Sequence, residues 1–188
     1  MVSGEVQLIG RKDSSLNIVL RVADNADVRV IMTDVNLTGI DEPAIQLGKG
    51  SNVELNINGY NSINKNGILV PTNAKLRMTG NGALLINAND NFTIGIGAKY
   101  DEPYGEIIFE HKGRIKVISS GDKIVGVGGG YSLAPITIAS GHLEIAGSGI
   151  SVLGIGSTSG DAFIDIGEAE VTIKESGNQA VGIGTVKS

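Results

Sequence analysis

One motif recurs at nearly constant spacing in the second half of the chain, and it restricts the possible folds more than any other feature. An apolar residue stands between two glycines, and the four copies begin at Gly95, Gly126, Gly154 and Gly182. The intervals are 31 (95 to 126), 28 (126 to 154) and 28 (154 to 182) residues. A landmark precedes each copy by 13 residues, at Gly82, Gly113, Gly141 and Ala169. Such a fixed period predicts a repeat architecture.

Alternating pairs of apolar residues complete each repeat. One pair follows the landmark, as at Leu143 and Ile145, and another precedes it, as at Ile136 and Ile138. A period of two is typical of strands, and no segment has a sustained helical period. Each repeat therefore has three short strands separated by turns rich in Gly, Asn, Ser and Asp. Three such strands predict one turn of a coil, and parallel ladders would stack successive coils about 4.8 Å apart.

We therefore expect an all-β chain folded as a single-stranded parallel β-helix, or β-solenoid. It would have about 6–7 coils of roughly 23–31 residues, with three short strands per coil. Residues 1–188 are expected to form one domain, with irregular N-terminal coils in 1–66 and regular coils in 67–188. Because the chain ends one strand into a new coil, we expect a fragment of a longer protein, or an end that a neighbouring chain covers.

Two other fold classes agree less well with the spacing of the motifs. An α/β fold would need helices of about ten or more residues between its strands, and the connections are too short for them. An antiparallel sandwich or barrel is the stronger alternative. It does not explain the 28-residue register, since strands joined by hairpins have no reason to repeat landmarks at constant spacing.

Composition narrows the classes of function. The formal net charge is −5 and the basic residues form no cluster, which argues against nucleic acid as a partner. The chain has no cysteine, so disulfides and thiolate metal sites are excluded. No stretch approaches the length of a membrane helix, and the first residues do not form a signal peptide. We expect neither nucleic-acid binding nor membrane insertion.

The regular coils carry a family likeness. Val-Gly-Ile-Gly is followed by a Gly/Ser-rich turn, then Ile-x-Ile, then Gly-x-apolar-x-Ile, most clearly over residues 67–188. This pattern resembles the right-handed parallel β-helix repeats of bacterial adhesin-like surface proteins and of carbohydrate-binding modules related in fold to polysaccharide lyases. The resemblance implies an extracellular or cell-surface location and a polysaccharide, such as a host or cell-wall glycan, as partner. Further coils or domains of a parent chain, or end-to-end self-association, would supply protein contacts.

A tyrosine-bearing loop is the first candidate site. Residues 99–104 account for the three additional residues of the 31-residue coil, and Tyr100 and Tyr131 each lie five residues after the start of their motif. We therefore expect these two rings on adjacent coils, where they would stack on sugar faces while carboxylates bind hydroxyl groups. The alternative is a loop folded on its own aromatic residues. The candidate ligand-binding residues are Tyr100, Asp101, Glu102, Tyr104 and Tyr131.

The glycines of the motif are the second candidate. If the central apolar residue points inward, its flanking glycines point outward, and stacked coils would present a flat ribbon to a polymer. The alternative is that the glycines relieve crowding or adopt positive φ at corners. The predicted flat face comprises Gly95, Gly97, Gly126, Gly128, Gly154, Gly156, Gly182 and Gly184.

Charged residues give no catalytic or metal site. A lyase would need clustered carboxylates for Ca²⁺, but the acidic residues are spread over different turns: Asp90, Asp101, Glu102, Asp122, Asp161 and Asp165. No cofactor is therefore expected; Ca²⁺ could bind, but nothing in the sequence indicates it. Arg114, Lys116, His142 and Glu144 are expected on a solvated outer face.

Three functional hypotheses follow. The first is a non-catalytic extracellular module, an adhesive or carbohydrate-contacting stalk of a bacterial surface protein. The second is a polysaccharide lyase or hydrolase, and the third is a structural assembly or fibre unit. One β-helix scaffold hosts all three, so the site must decide between them.

Overall fold

The computed structural model describes residues 2–11, 14–38, 41–89 and 93–186. Within these ranges the chain is an all-β parallel solenoid of about six coils, without helix. Its 14 described strands are β1 (Val2–Ile9), β2 (Leu20–Arg21), β3 (Ala26–Thr33), β4 (Asn36–Leu37), β5 (Ile45–Gln46), β6 (Asn52–Asn58), β7 (Tyr60–Lys65), β8 (Ile68–Leu69), β9 (Lys75–Gly80), β10 (Ala83–Asn89), β11 (Ile94–Gly97), β12 (Glu106–Gly129), β13 (Ile136–Ser157) and β14 (Ile164–Thr185).

These strands form three parallel sheets around the coil. The first sheet contains β1, β3, β6 and β9, and then the opening residues of β12, β13 and β14. The second contains β4, β7, β10 and the middle of the three long strands. The third contains β2, β5, β8, β11 and the ends of the long strands. We call the bends after the first, second and third sheets the first, second and third corners.

The core is a set of columns in which each coil contributes one inward side chain. In the first sheet one column runs through Val30, Leu55, Met78, Phe109 and Ile138, which are at most 2% exposed. Full burial of one such side chain stabilises the fold by about 1.5–3 kcal/mol. The apolar residues that alternate in the sequence therefore point into this core, and the residues between them lie on the outer face.

Coil length agrees with the sequence prediction. Asn52 pairs with Lys75, 23 residues later, and Lys75 pairs with Glu106, 31 residues later. The strands differ from the prediction in one respect: β12, β13 and β14 have 24, 22 and 22 residues and continue through two corners. Their coils are nearly equal in length, so corner residues such as Gly121 and Gly149 also pair with their counterparts. The strands of the earlier coils, β1 to β11, are separate and have at most 8 residues.

Charged side chains on the outer faces pair with one another across coils. Arg29 lies 3.4 Å from Glu5 and 3.5 Å from Glu54, and Lys116 Nζ lies 2.9 Å from Glu144 Oε1. The hydrogen bond from Lys116 holds the pKa of Glu144 below its ordinary value. Exposed pairs of this kind contribute at most about 1 kcal/mol each. Their side chains are partly exposed on the outer faces.

Candidate functional site

Loops of successive coils enclose a hollow of about 650 Å³ at the third corner. The chain passes here from the third sheet into the first sheet of the next coil. Lining residues include Asn73, Lys75, Pro103, Tyr131, Leu133 and Pro135. We call this feature the corner hollow.

The structure places Tyr131, and not Tyr100, among the residues that line the corner hollow. The three additional residues form a turn in which Glu102 N donates to Lys99 O at 3.0 Å. Gly130 N then donates to Glu102 O at 2.7 Å, which ties this turn to the next coil. Tyr131 and Pro103 both line the corner hollow. That Tyr100 and Tyr131 form a pair on adjacent coils stays a prediction.

Tyr100 and Asp101 take part in a different cluster. Lys123 Nζ, from the next coil, lies 5.2 Å from the centre of the Tyr100 ring and 3.7 Å from Asp101 Oδ2. A cation over an aromatic face is weakly attractive, by about 0.5–1 kcal/mol at exposed sites. Glu102 pairs with Lys99 at 3.9 Å within the loop. That these three residues bind a ligand stays a prediction.

Tyr104 is buried, although it is among the residues that line the corner hollow, and its part in ligand binding stays a prediction. Its side chain is 0% exposed. A Cβ on Gly129 would lie only 3.0 Å from Tyr104 Cδ1, so the glycine leaves room for the ring. The hydroxyl has no hydrogen-bond partner among the described residues, and burial raises its pKa. The ring therefore supports the loop from inside.

Three apolar side chains remain open at this corner. Tyr131 is 53%, Leu133 85% and Phe163 49% exposed. Phe163 continues the strip onto the next coil, since Ile136 N donates to Phe163 O at 2.8 Å. The sequence prediction missed Phe163, although it precedes Ile164 as Pro135 precedes Ile136, 28 residues earlier.

Polar groups border the same strip. Lys75 Nζ lies 3.2 Å from Glu106 Oε1. Ser132 Oγ donates to Tyr104 O at 2.7 Å and accepts from Ala134 N at 2.9 Å, which orders the loop. An apolar strip bordered by polar groups suits a ligand that has apolar faces and hydroxyl groups at its edges, such as a pyranose sugar.

The predicted flat glycine face is also corrected. Gly95, Gly97, Gly126, Gly128, Gly154 and Gly156 are buried, and Gly182 and Gly184 are partly buried in the last coil. A Cβ on Gly126 would lie 2.7 Å from Ile145 Cγ2 in the core, and one on Gly128 would lie 1.9 Å from Gly156 O. Gly128 also has φ of 126°, which favours glycine. Close packing between coils therefore explains these glycines.

The described residues include no group of three or more His, Cys, Asp or Glu side chains that could hold a metal ion. Asp90 lies outside the described ranges. The part of the chain that the structure describes has no helix long and apolar enough to cross a membrane.

One carboxyl group that sequence reasoning overlooked is buried. Glu175 belongs to an inward column of the second sheet, after Ala88, Ser119 and Gly147. A Cβ on Gly147 would lie 2.1 Å from Glu175 Oε2, so the carboxyl group fills the space that this glycine leaves. Neither oxygen has a hydrogen-bond partner among the described residues, and burial raises the pKa of Glu175 to about 7. The offset of 28 from Gly147 is the signal that would have found it.

We expect stability to depend on pH through Glu175. A carboxyl group whose pKa is higher in the folded state contributes stability below the unfolded value, and that contribution is lost as pH rises through about 7. Glu175→Gln should therefore melt above the wild type at pH 8, and the difference should shrink towards pH 4.5. Thermal unfolding of both proteins over this range measures the effect. An equal difference at every pH would mean that the charge is not responsible.

Comparisons with protein-family models, with curated proteins and with solved structures found no match to this chain.

Proposed function

We propose that this chain is a non-catalytic β-solenoid module that binds a polysaccharide in the corner hollow. The observation that carries the proposal is the exposed strip of Tyr131, Leu133 and Phe163 on successive corner loops, bordered by polar groups. Loops on a stacked scaffold hold such rings in place, so binding orders few side chains. Lys75 and Glu106, the charged residues that line the hollow, form an ion pair with each other.

The setting of this module is part of the proposal. The resemblance of the coils to those of bacterial surface and secreted proteins supports an extracellular or cell-surface location, with a host or cell-wall glycan as the ligand. A solenoid also separates what is attached to its two ends, so the module would act as a stalk with a contact surface on its side.

The test is retention of the protein in native gels that contain a soluble polysaccharide. Suitable probes are hydroxyethyl cellulose, a mannan, a xylan and polygalacturonate, each with Ca²⁺ and with chelator. We expect Tyr131→Ala to weaken binding about tenfold, equivalent to about 1.4 kcal/mol, because a stacking surface is lost. Melting temperatures establish that each variant is folded.

Ile150→Ala is the matched control, since Ile150 is 54% exposed at the second corner, away from the hollow. It should bind like the wild type. Tyr100→Ala tests whether Tyr100 and Tyr131 bind the ligand together. A loss of binding equal to that of Tyr131→Ala would show that they do. Unchanged binding by a folded Tyr131→Ala variant would refute the proposal.

A further inference from the structure

A second hollow, of about 600 Å³, lies at the first corner of the solenoid. It is lined by residues of the first coils, among them Arg11, Asp34, Asn36, Tyr60 and Ser62. This hollow and the corner hollow share no lining residue, because they lie at different corners of the solenoid. We call this feature the Tyr60 hollow.

Tyr60 offers an open ring on a firmly held backbone. Its side chain is 63% exposed, while its N–H donates to Asp34 Oδ1 at 2.9 Å. The next residue, Asn61, is 0% exposed, accepts from Val35 N at 3.0 Å and donates to Asn58 O at 2.8 Å. An aromatic side chain in such a setting loses little conformational entropy when a ligand stacks on it.

A row of amide side chains leads away from the ring along the second sheet. Asn36 Oδ1 accepts from Ser62 Oγ at 2.8 Å and from Asn64 Nδ2 at 3.0 Å. Asn64 Oδ1 accepts from Asn87 Nδ2 at 2.8 Å on the following coil. These bonds fix the amides in place, and each Nδ2 has a second hydrogen that no other described residue accepts. The row crosses the strands, so it runs along the solenoid axis.

We propose that the Tyr60 hollow and its amide row form a second polysaccharide-binding site. The ring would stack on the apolar face of one sugar. The amides, spaced by one coil or about 4.8 Å, would bind hydroxyl groups of the following sugars. Arg11, which has no ion-pair partner among the described residues, also lines the hollow and adds hydrogen-bond donors. A row that extends over several coils suits a polymer lying along the axis better than a small ligand.

Two sites at different corners of a rigid rod make the module a cross-linker. A short segment of polysaccharide cannot contact both corners, so each site would hold its own chain or a distant part of the same chain. This step rests on the proposed function, because it needs the corner hollow as the other site. The Tyr60 hollow rests on its own contacts.

The experiment compares Tyr60→Ala, Tyr131→Ala, the double variant and Ile150→Ala. Gel retention in hydroxyethyl cellulose, mannan, xylan and polygalacturonate measures binding, and light scattering after mixing with the retained polysaccharide measures cross-linking. Light scattering of each protein alone corrects for self-association. Thermal melts establish folding.

We expect each single variant to bind about tenfold more weakly and to lose the scattering signal, while the double variant is not retained. If the Tyr60→Ala variant bound and cross-linked like the wild type, the inference would be overturned. The proposed binding at the corner hollow would not be affected by that result. If Tyr60→Ala abolished binding and Tyr131→Ala changed nothing, the proposed function would fail and the Tyr60 site would stand alone, without cross-linking. A wild-type protein that bound none of the four polysaccharides would overturn both.

Discussion

Ile138→Asp is expected to unfold the chain at pH 7 and 25 °C. Ile138 is 0% exposed and lies between Phe109 and Ile166 in a column of the first sheet. The substitution removes a buried apolar side chain, a loss of about 2–5 kcal/mol in comparable cases, and adds a carboxylate with no partner. Together these effects approach the typical stability of a whole domain, about 5–15 kcal/mol. Circular dichroism and thermal melting would measure the result.

Thr137→Asp is the control for this substitution. Thr137 is the preceding residue, partly exposed on the outer face beside Ile108 and Asp165. The new carboxylate meets water and one like charge, so the loss should stay below about 1 kcal/mol. If Ile138→Asp were as stable as Thr137→Asp, the assignment of inner and outer faces would be wrong.

Gly126→Ala is expected to lower stability by about 3 kcal/mol, or the melting temperature by about 6–12 °C. The added Cβ would lie 2.6 Å from Gly154 O and 2.7 Å from Ile145 Cγ2. Backbone of the adjacent coil cannot move without disturbing a parallel ladder, so the strain remains. Differential scanning calorimetry gives the change directly.

Gly182→Ala is a matched control at the same position of the motif. Apart from Gly182 itself and its two neighbours in the chain, the nearest described atom to the added Cβ is Ile173 Cγ2, at 3.9 Å. The substitution should leave stability unchanged or raise it by a few tenths of a kcal/mol, because alanine restricts the unfolded chain. A neutral Gly126→Ala variant would support an open glycine face. Equal losses in both variants would mean that another chain packs on the last coil.

Sequence alone was sufficient for the architecture because a solenoid converts distance along the chain into position in space. Residues 28 apart, such as Ile138 and Ile166, become neighbours once the coil length is known. Alternation with a period of two then separates inner from outer side chains along each strand. Alternation is visible within a single coil, whereas the coil length appears only on repetition, and four repeats distinguish it from chance.

The candidate site was only partly predictable, for reasons visible at particular residues. The tyrosine loop was singled out for its three additional residues, but only the structure shows that Tyr131, and not Tyr100, lines the corner hollow. Tyr104 is buried because Gly129 leaves it room, a contact between coils that local pattern does not encode. Tyr60 was overlooked because it lies outside the regular repeats.

Strand period, coil length and the parallel stacking were thus determined by the sequence itself, since each depends on spacing along one chain. The inward position of the motif glycines, the burial of Glu175 and the division of the exposed rings between two corners were decided only by the tertiary structure. Each of these depends on which backbone and side-chain atoms of neighbouring coils come into contact. Spacing along the chain does not give those contacts.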